Sequence, residues 1–62
     1  MIKILTISGY MLIRRENLVS VAPRTSLKGT KYVACIDTGV SYEYWEVSFE
    51  EYERLVTLYG ER

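Results

Sequence analysis

Residues 40–59 read Val40-Ser41-Tyr42-Glu43-Tyr44-Trp45-Glu46-Val47-Ser48-Phe49-Glu50-Glu51-Tyr52-Glu53-Arg54-Leu55-Val56-Thr57-Leu58-Tyr59, and a change of period inside them decides the fold. Up to Ser48 the pattern has a period of two, with Ser41, Glu43, Trp45 and Val47 alternating with Tyr42, Tyr44, Glu46 and Ser48. Such alternation predicts a strand. Trp45, Val47 and the following Phe49 are expected to face the core, which puts Tyr42 and Tyr44 on the opposite face. From Ser48 onward the period becomes helical. Ser48-Phe49-Glu50-Glu51 is a capping box, in which the Ser48 hydroxyl accepts the Glu51 amide and the Glu51 carboxylate reaches back to Ser48. Val47 and Tyr52 are spaced as the accompanying hydrophobic staple. Tyr52, Leu55, Val56 and Tyr59 repeat at i, i+3, i+4 and i+7 and make one apolar stripe. Glu50 and Arg54 are spaced for an i,i+4 ion pair, and Gly60 is a natural terminator. The spacing therefore predicts a helix over Phe49–Tyr59.

Upstream, Lys31–Ile36 and Val40–Ser48 are strand-like runs joined by Asp37-Thr38-Gly39, with glycine where a positive φ is needed. Further back, Met1–Ile7 is an apolar run rich in β-branched residues, expected as a strand buried on both faces. Ser8-Gly9 turns the chain into a second strand, Tyr10–Ile13. Leu18–Ala22 is a third strand, which Pro23 is expected to end because it has no N–H to donate. Arg24–Thr30 is polar and basic and reads as a loop. The expected architecture is α+β, a small curved antiparallel sheet of about five strands with one C-terminal helix. A single domain covers residues 1–62, with the strands within 1–48.

The chain has 62 residues, no histidine and one cysteine, Cys35. These counts remove histidine-based catalysis, zinc cages and an internal disulfide framework. A core this small often needs help from a staple or an oligomer, so self-association is expected. The longest apolar run is too short to cross a bilayer or to form a signal-peptide core, and a cytoplasmic protein away from membranes is expected. Charge is balanced overall but lopsided along the chain. Residues 1–31 hold Lys3, Arg14, Arg15, Arg24, Lys28 and Lys31 against Glu16, and residues 32–62 hold seven acidic side chains against Arg54 and Arg62. The simplest expectation is that the halves interleave and neutralise each other. A head-to-tail ring of basic edge on acidic edge is the alternative.

Three constellations could carry chemistry. Ala34-Cys35-Ile36-Asp37-Thr38-Gly39-Val40-Ser41 resembles the active-site strand and loop of retroviral-type aspartic proteases. That resemblance implies Asp37 as a catalytic carboxylate shared across a homodimer. It spans about eight residues, and here only a helix follows, without the family's flap hairpin. Asp-Thr-Gly between two strands is also ordinary turn chemistry, which is the reading adopted. The second constellation joins six tyrosines and one tryptophan to the basic segment. Tyr32, Tyr42 and Tyr44 are expected to share a sheet region near it, where stacking platforms beside Lys and Arg hold nucleotides or single strands. Arg24, Lys28 and Lys31 could engage phosphate, with Thr25, Ser26 and Thr30 offering hydroxyls. The competing reading places these tyrosines in the core and a subunit interface. The third, Arg14-Arg15, reads as a solvated hairpin tip or a protected edge. Cys35 reads as a small buried hydrophobe.

The apolar first strand with Gly9, then Asn17-Leu18-Val19, Val21, Pro23, a Tyr-Val strand and a late acidic helix is similar to FlbD-like proteins, short chains encoded near flagellar genes. That similarity implies a fold type rather than an activity. A compact chain of this size also resembles the accessory proteins that phages carry to bind and disable host machinery. The expectation is a non-enzymatic, homo-oligomeric module that binds a host or regulatory protein through Arg24, Thr25, Ser26, Leu27, Lys28, Lys31, Tyr42 and Tyr44, with no cofactor. Leu27 stands out because an apolar residue in a basic loop is either tucked under it or offered to a partner. The alternative is sequestration of a nucleotide or single-stranded nucleic acid by the same residues.

Overall fold

The computed structural model describes residues 1–59, which form five strands and one helix. Strands β1 (Ile2–Thr6) and β2 (Gly9–Ile13) make an antiparallel hairpin, and a 3₁₀ turn, Arg15–Asn17, leads out of it. Strands β3 (Leu18–Ser26), β4 (Gly29–Asp37) and β5 (Tyr42–Val47) form a second antiparallel sheet in that order, followed by α1 (Phe49–Tyr59). The fold is the expected α+β arrangement, with its strands divided between two sheets. The Ile7 amide donates to the Glu46 carbonyl at 3.0 Å, which ties the end of β1 to β5.

The core lies between the two sheets and the helix. Ile4, Leu18, Ala34, Ile36, Val47 and Leu55 are its buried members, drawn from β1, β3, β4, β5 and α1. Alternation selects one face of each strand: Ala34 and Ile36 on β4 point inward, while Lys31 on the opposite face is exposed. The same rule corrects the expectation for β1. Ile4 and Thr6 are buried but Lys3 and Leu5 are exposed, because nothing covers the outer face of the β1–β2 hairpin.

Pro23 does not end its strand. It sits opposite Tyr32 inside a pairing that runs on to Ser26 and Gly29. β3 is an edge strand, and a Pro23–Tyr32 pair between hydrogen-bonded neighbours leaves the missing N–H on the solvent side. The expected loop Arg24–Thr30 accordingly shrinks to a turn at Leu27-Lys28. That turn repeats the one joining β1 to β2. In Thr6-Ile7-Ser8-Gly9 the Thr6 hydroxyl donates to the Gly9 carbonyl at 2.7 Å and accepts from the Ser8 amide at 3.1 Å. In Ser26-Leu27-Lys28-Gly29 the Ser26 hydroxyl makes the same two bonds at 3.3 and 3.2 Å. Each turn closes on a glycine with strongly positive φ, 126° at Gly9 and 124° at Gly29, a region disfavoured for other residues.

α1 begins as expected, with the Glu51 amide donating to the Ser48 hydroxyl at 3.1 Å. The second half of the capping box is spent elsewhere. Glu51 turns its carboxylate onto β1, where it accepts the Leu5 amide at 2.9 Å. Arg54, rather than pairing with Glu50, grips the same carboxylate with Nε and Nη2 at 2.9 and 2.6 Å. Its Nη2 also donates to the Lys3 carbonyl at 2.9 Å. Glu51 is 7% exposed, and every bond the carboxylate makes is charge-assisted. Phe49, expected in the core, is instead half exposed at the rim, with its ring 5.3 Å from that of Tyr32. Arg15 is no free hairpin tip either. It donates to the Tyr59 carbonyl at 2.8 Å and lies over the Tyr59 ring, setting a cation at the negative end of the helix dipole. Arg14 faces Glu16 at 3.9 Å with both side chains in solvent. Gly60, read as the helix terminator, lies outside the described residues.

The Arg54 guanidinium and the Leu5 amide hold the Glu51 carboxyl below its ordinary value of 4.5, against the opposing effect of burial. A carboxylate depressed in the folded state adds stability above its unfolded pKa and loses it as pH falls through the folded one. Stability from urea unfolding is therefore expected to drop below about pH 4.5. In Glu51→Gln it should be lower at pH 7 by about 1–3 kcal/mol, with most of the acid-dependent loss removed. A Glu51→Gln protein as stable as the parent at pH 7 would refute this role for the carboxylate.

Candidate functional site

β4 runs three residues past its pairing with β5, which begins at Tyr32 opposite Val47. Residues Arg24–Lys31 therefore project from the sheet as a two-stranded ribbon. Within it Arg24 and Lys31 are cross-strand neighbours, and Lys28 sits at the tip. Like charges directly opposite each other disfavour pairing, so this ribbon concentrates positive charge at a cost to its own stability. Among the described residues the two ion pairs are Arg14–Glu16 and Arg54–Glu51, each local in sequence. Among the described residues, the basic and acidic halves are thus not joined by direct ion pairs. The ribbon cations keep their charge for solvent or a ligand.

Alternation places Arg24, Lys31, Tyr42 and Tyr44 on the outer face of the three-stranded sheet, turned away from the helix. Arg24 lies over the Tyr44 ring at 5.6 Å, a cation–π contact that orders the guanidinium without consuming its charge. Tyr42 and Tyr44 are each 60% exposed. Leu27 at the ribbon tip is fully exposed, offered outward rather than tucked beneath the turn.

The remaining expected site residues fall elsewhere. Thr25 shares the opposite side of the ribbon with Thr30, their hydroxyls 3.4 Å apart. The Ser26 hydroxyl is spent on the turn, and Tyr32 does not join Tyr42 and Tyr44. Its ring packs on the inner side at 4.8 Å from that of Tyr52, because residues of even number on β4 face the core. Asp37 accepts the Gly39 amide at 2.8 Å, and the Thr38 hydroxyl donates to the Ser41 carbonyl at 3.1 Å. Asp-Thr-Gly is thus bonded as a turn.

Cys35 is buried as expected, but the side of the sheet it occupies, and a groove beside the helix, were not legible in the sequence. Cys35 is only 9% exposed yet lies outside the core cluster, on the outer face with Tyr44 as its cross-strand neighbour. A groove of about 280 Å³ opens between the β1–β2 hairpin and the helix, lined by Lys3, Leu5, Tyr10, Glu51, Arg54 and Tyr59. Its lining is assembled from residues about fifty positions apart, so no local motif could announce it. No group of three or more His, Cys, Asp or Glu among the described residues is placed to hold a metal ion.

If Tyr44 screens the outer face, Tyr44→Ala should speed the reaction of Cys35 with a thiol reagent several-fold in the folded protein. An unchanged labelling rate would show that other neighbours cover the sulfur.

No protein-family model, curated protein or solved structure matches this chain.

Proposed function

We propose that this protein is a non-enzymatic, homo-oligomeric binding module of the cytoplasm, acting by stoichiometric contact with a host or regulatory protein, as a phage-type inhibitor would. The observation that carries this reading is the basic ribbon. Arg24, Lys28 and Lys31 stand together without a described ion pair, beside exposed Leu27 and the exposed rings of Tyr42 and Tyr44. Arginine and tyrosine around an apolar residue are the side chains that concentrate binding energy at protein interfaces. Their charge selects an acidic partner surface with an apolar recess for Leu27. No helix of the described residues is long and apolar enough to cross a membrane.

The same face could instead stack a nucleotide or a single strand, with Arg24 and Lys31 on phosphate and the two tyrosines on bases. Glu46 shares that face and opposes a polyanion path. The sequence similarity to FlbD-like proteins adds no activity to either reading.

The test is affinity capture with the whole protein at low and moderate salt, followed by titration of the captured partner and, separately, of oligothymidylate and mixed nucleotides. A protein partner should bind, and Arg24→Glu or Tyr44→Ala should weaken it by about tenfold or more while leaving the circular dichroism unchanged. Tight oligonucleotide or nucleotide binding that collapses as salt rises would replace this reading with the phosphate one. A partner that binds both variants as well as the parent would move the interface off this face.

A further inference from the structure

The two sheets have four strand edges, at β1, β2, β3 and β5, and these are treated differently. β3 carries a register shift between Leu18 and Ser20, and further along it carries Pro23 and Arg24. A bulge, a proline and a charge are the devices that stop an edge from pairing with another chain. The open edge of β1 is closed within the same molecule: the Glu51 side chain takes the Leu5 amide, the Arg54 side chain takes the Lys3 carbonyl, and the Ile7 amide donates to the Glu46 backbone carbonyl of β5. β2 has neither protection. Among the described residues it pairs with β1 alone, and its sequence Gly9-Tyr10-Met11-Leu12-Ile13 contains no charge and no proline.

The register shows which groups this edge presents. Leu5 and Lys3 send backbone groups away from β2, so their partners Tyr10 and Leu12 sit at the non-hydrogen-bonded positions of the hairpin. The amides and carbonyls of Tyr10 and Leu12 therefore face the open edge. Their side chains are 69% and 60% exposed on the uncovered face of the hairpin.

We propose that the open edge of β2 pairs with the same edge of a second copy of this chain, antiparallel about a two-fold axis at Met11. This specifies the interface of the oligomer in the functional reading above and rests on it. Across such an axis Tyr10 opposes Leu12 of the second copy, and Leu12 opposes Tyr10. Each pair exchanges two amide–carbonyl bonds, so all eight edge groups are satisfied and the sheet becomes β1-β2-β2-β1. The pattern is self-complementary, as a two-fold contact requires. Because β2 is uncharged, no like charges meet at the axis. Each exposed Tyr10 ring lands beside an exposed Leu12, an aromatic–aliphatic cross-strand pair of the kind that stabilises sheets. β3 and β1 offer no equivalent edge, and β5 carries the charges Glu43 and Glu46 and has its Glu46 carbonyl taken by the Ile7 amide, which leaves β2 as the self-pairing strand.

Sedimentation velocity from about 10 µM to about 1 mM, a range suited to a contact this small, tests the proposal together with amide hydrogen exchange read by NMR. The whole protein should dimerise with rising concentration, and the Tyr10 and Leu12 amides should gain protection in step. Leu12→Lys places two like charges near the axis and should weaken the dimer by about tenfold or more. Val19→Lys, which adds the same charge at the exposed bulge of β3, should not. Tyr10→Lys gives a second variant should Leu12→Lys fail to fold. A dimer whose Tyr10 and Leu12 amides still exchange freely would overturn the β2 interface and leave the oligomer standing. A chain monomeric at every concentration would overturn both, while leaving the partner face of the basic ribbon to its own variants.

Discussion

The Glu51 carboxylate is the contact on which the arrangement of the other elements depends. One group, carried on the first turn of the helix, accepts an amide from the first strand and is clamped by Arg54, which itself reaches the first strand's carbonyl at Lys3. A helix ordinarily meets a sheet through apolar contact, which fixes distance but tolerates sliding. Here Leu55 supplies that contact, and the carboxylate adds direction. It also satisfies backbone groups on an edge that would otherwise need water or another strand. For a chain that buries six apolar residues in its core cluster, one such fixed point is a large share of the specificity.

Dividing five strands between two sheets has consequences for the surface. A single five-stranded sheet has two edges. This arrangement has four: β3 is dealt with by a bulge and proline, β1 by helix side chains, β5 by its charges and the Ile7 amide, and β2, among the described residues, by nothing. The inner faces meet around Leu55 and Ile4, while both outer faces remain open. One outer face carries Arg24 and the tyrosines, and the other carries Lys3, Leu5, Tyr10 and Leu12. Two surfaces of different character therefore lie on separate sheets, one basic and aromatic, the other apolar with an unpaired backbone edge. That separation would let the self-association and the partner contact proposed above occur together.

The helix and the opposite orientation of Trp45 and Tyr44 were legible in residues 40–59, since period and capping are local properties. The ribbon was harder to read. Arg24–Thr30 has the composition of a loop, but Thr25 and Thr30 suit a strand, and the Ser26–Gly29 turn needs only two residues between them. The repeated pattern of a hydroxyl residue followed three positions later by glycine, at Thr6–Gly9 and Ser26–Gly29, was the available signal for both tight turns. Of the expected site residues, Arg24, Lys31, Tyr42 and Tyr44 share a face because strand parity places them there, whereas Thr25 has the opposite parity.

The sequence by itself determined the elements that depend on neighbours a few residues away: the Ser48 cap, the apolar helix stripe, the glycine turns and the alternation of each strand. Tertiary structure alone decided what Glu51, Arg54 and Arg15 do. Glu51 and Arg54 had plausible local partners and Arg15 read as solvated, yet each was taken by a backbone group or ring more than forty residues away or, for Arg54, also by the carboxylate already committed there. The physical reason is competition for unsatisfied backbone groups. An exposed i,i+4 ion pair contributes about 0.3–0.5 kcal/mol, whereas a buried carboxylate that satisfies a strand amide, as Glu51 does at Leu5, contributes several times more. Which backbone groups are left unsatisfied is known only once the strands have paired.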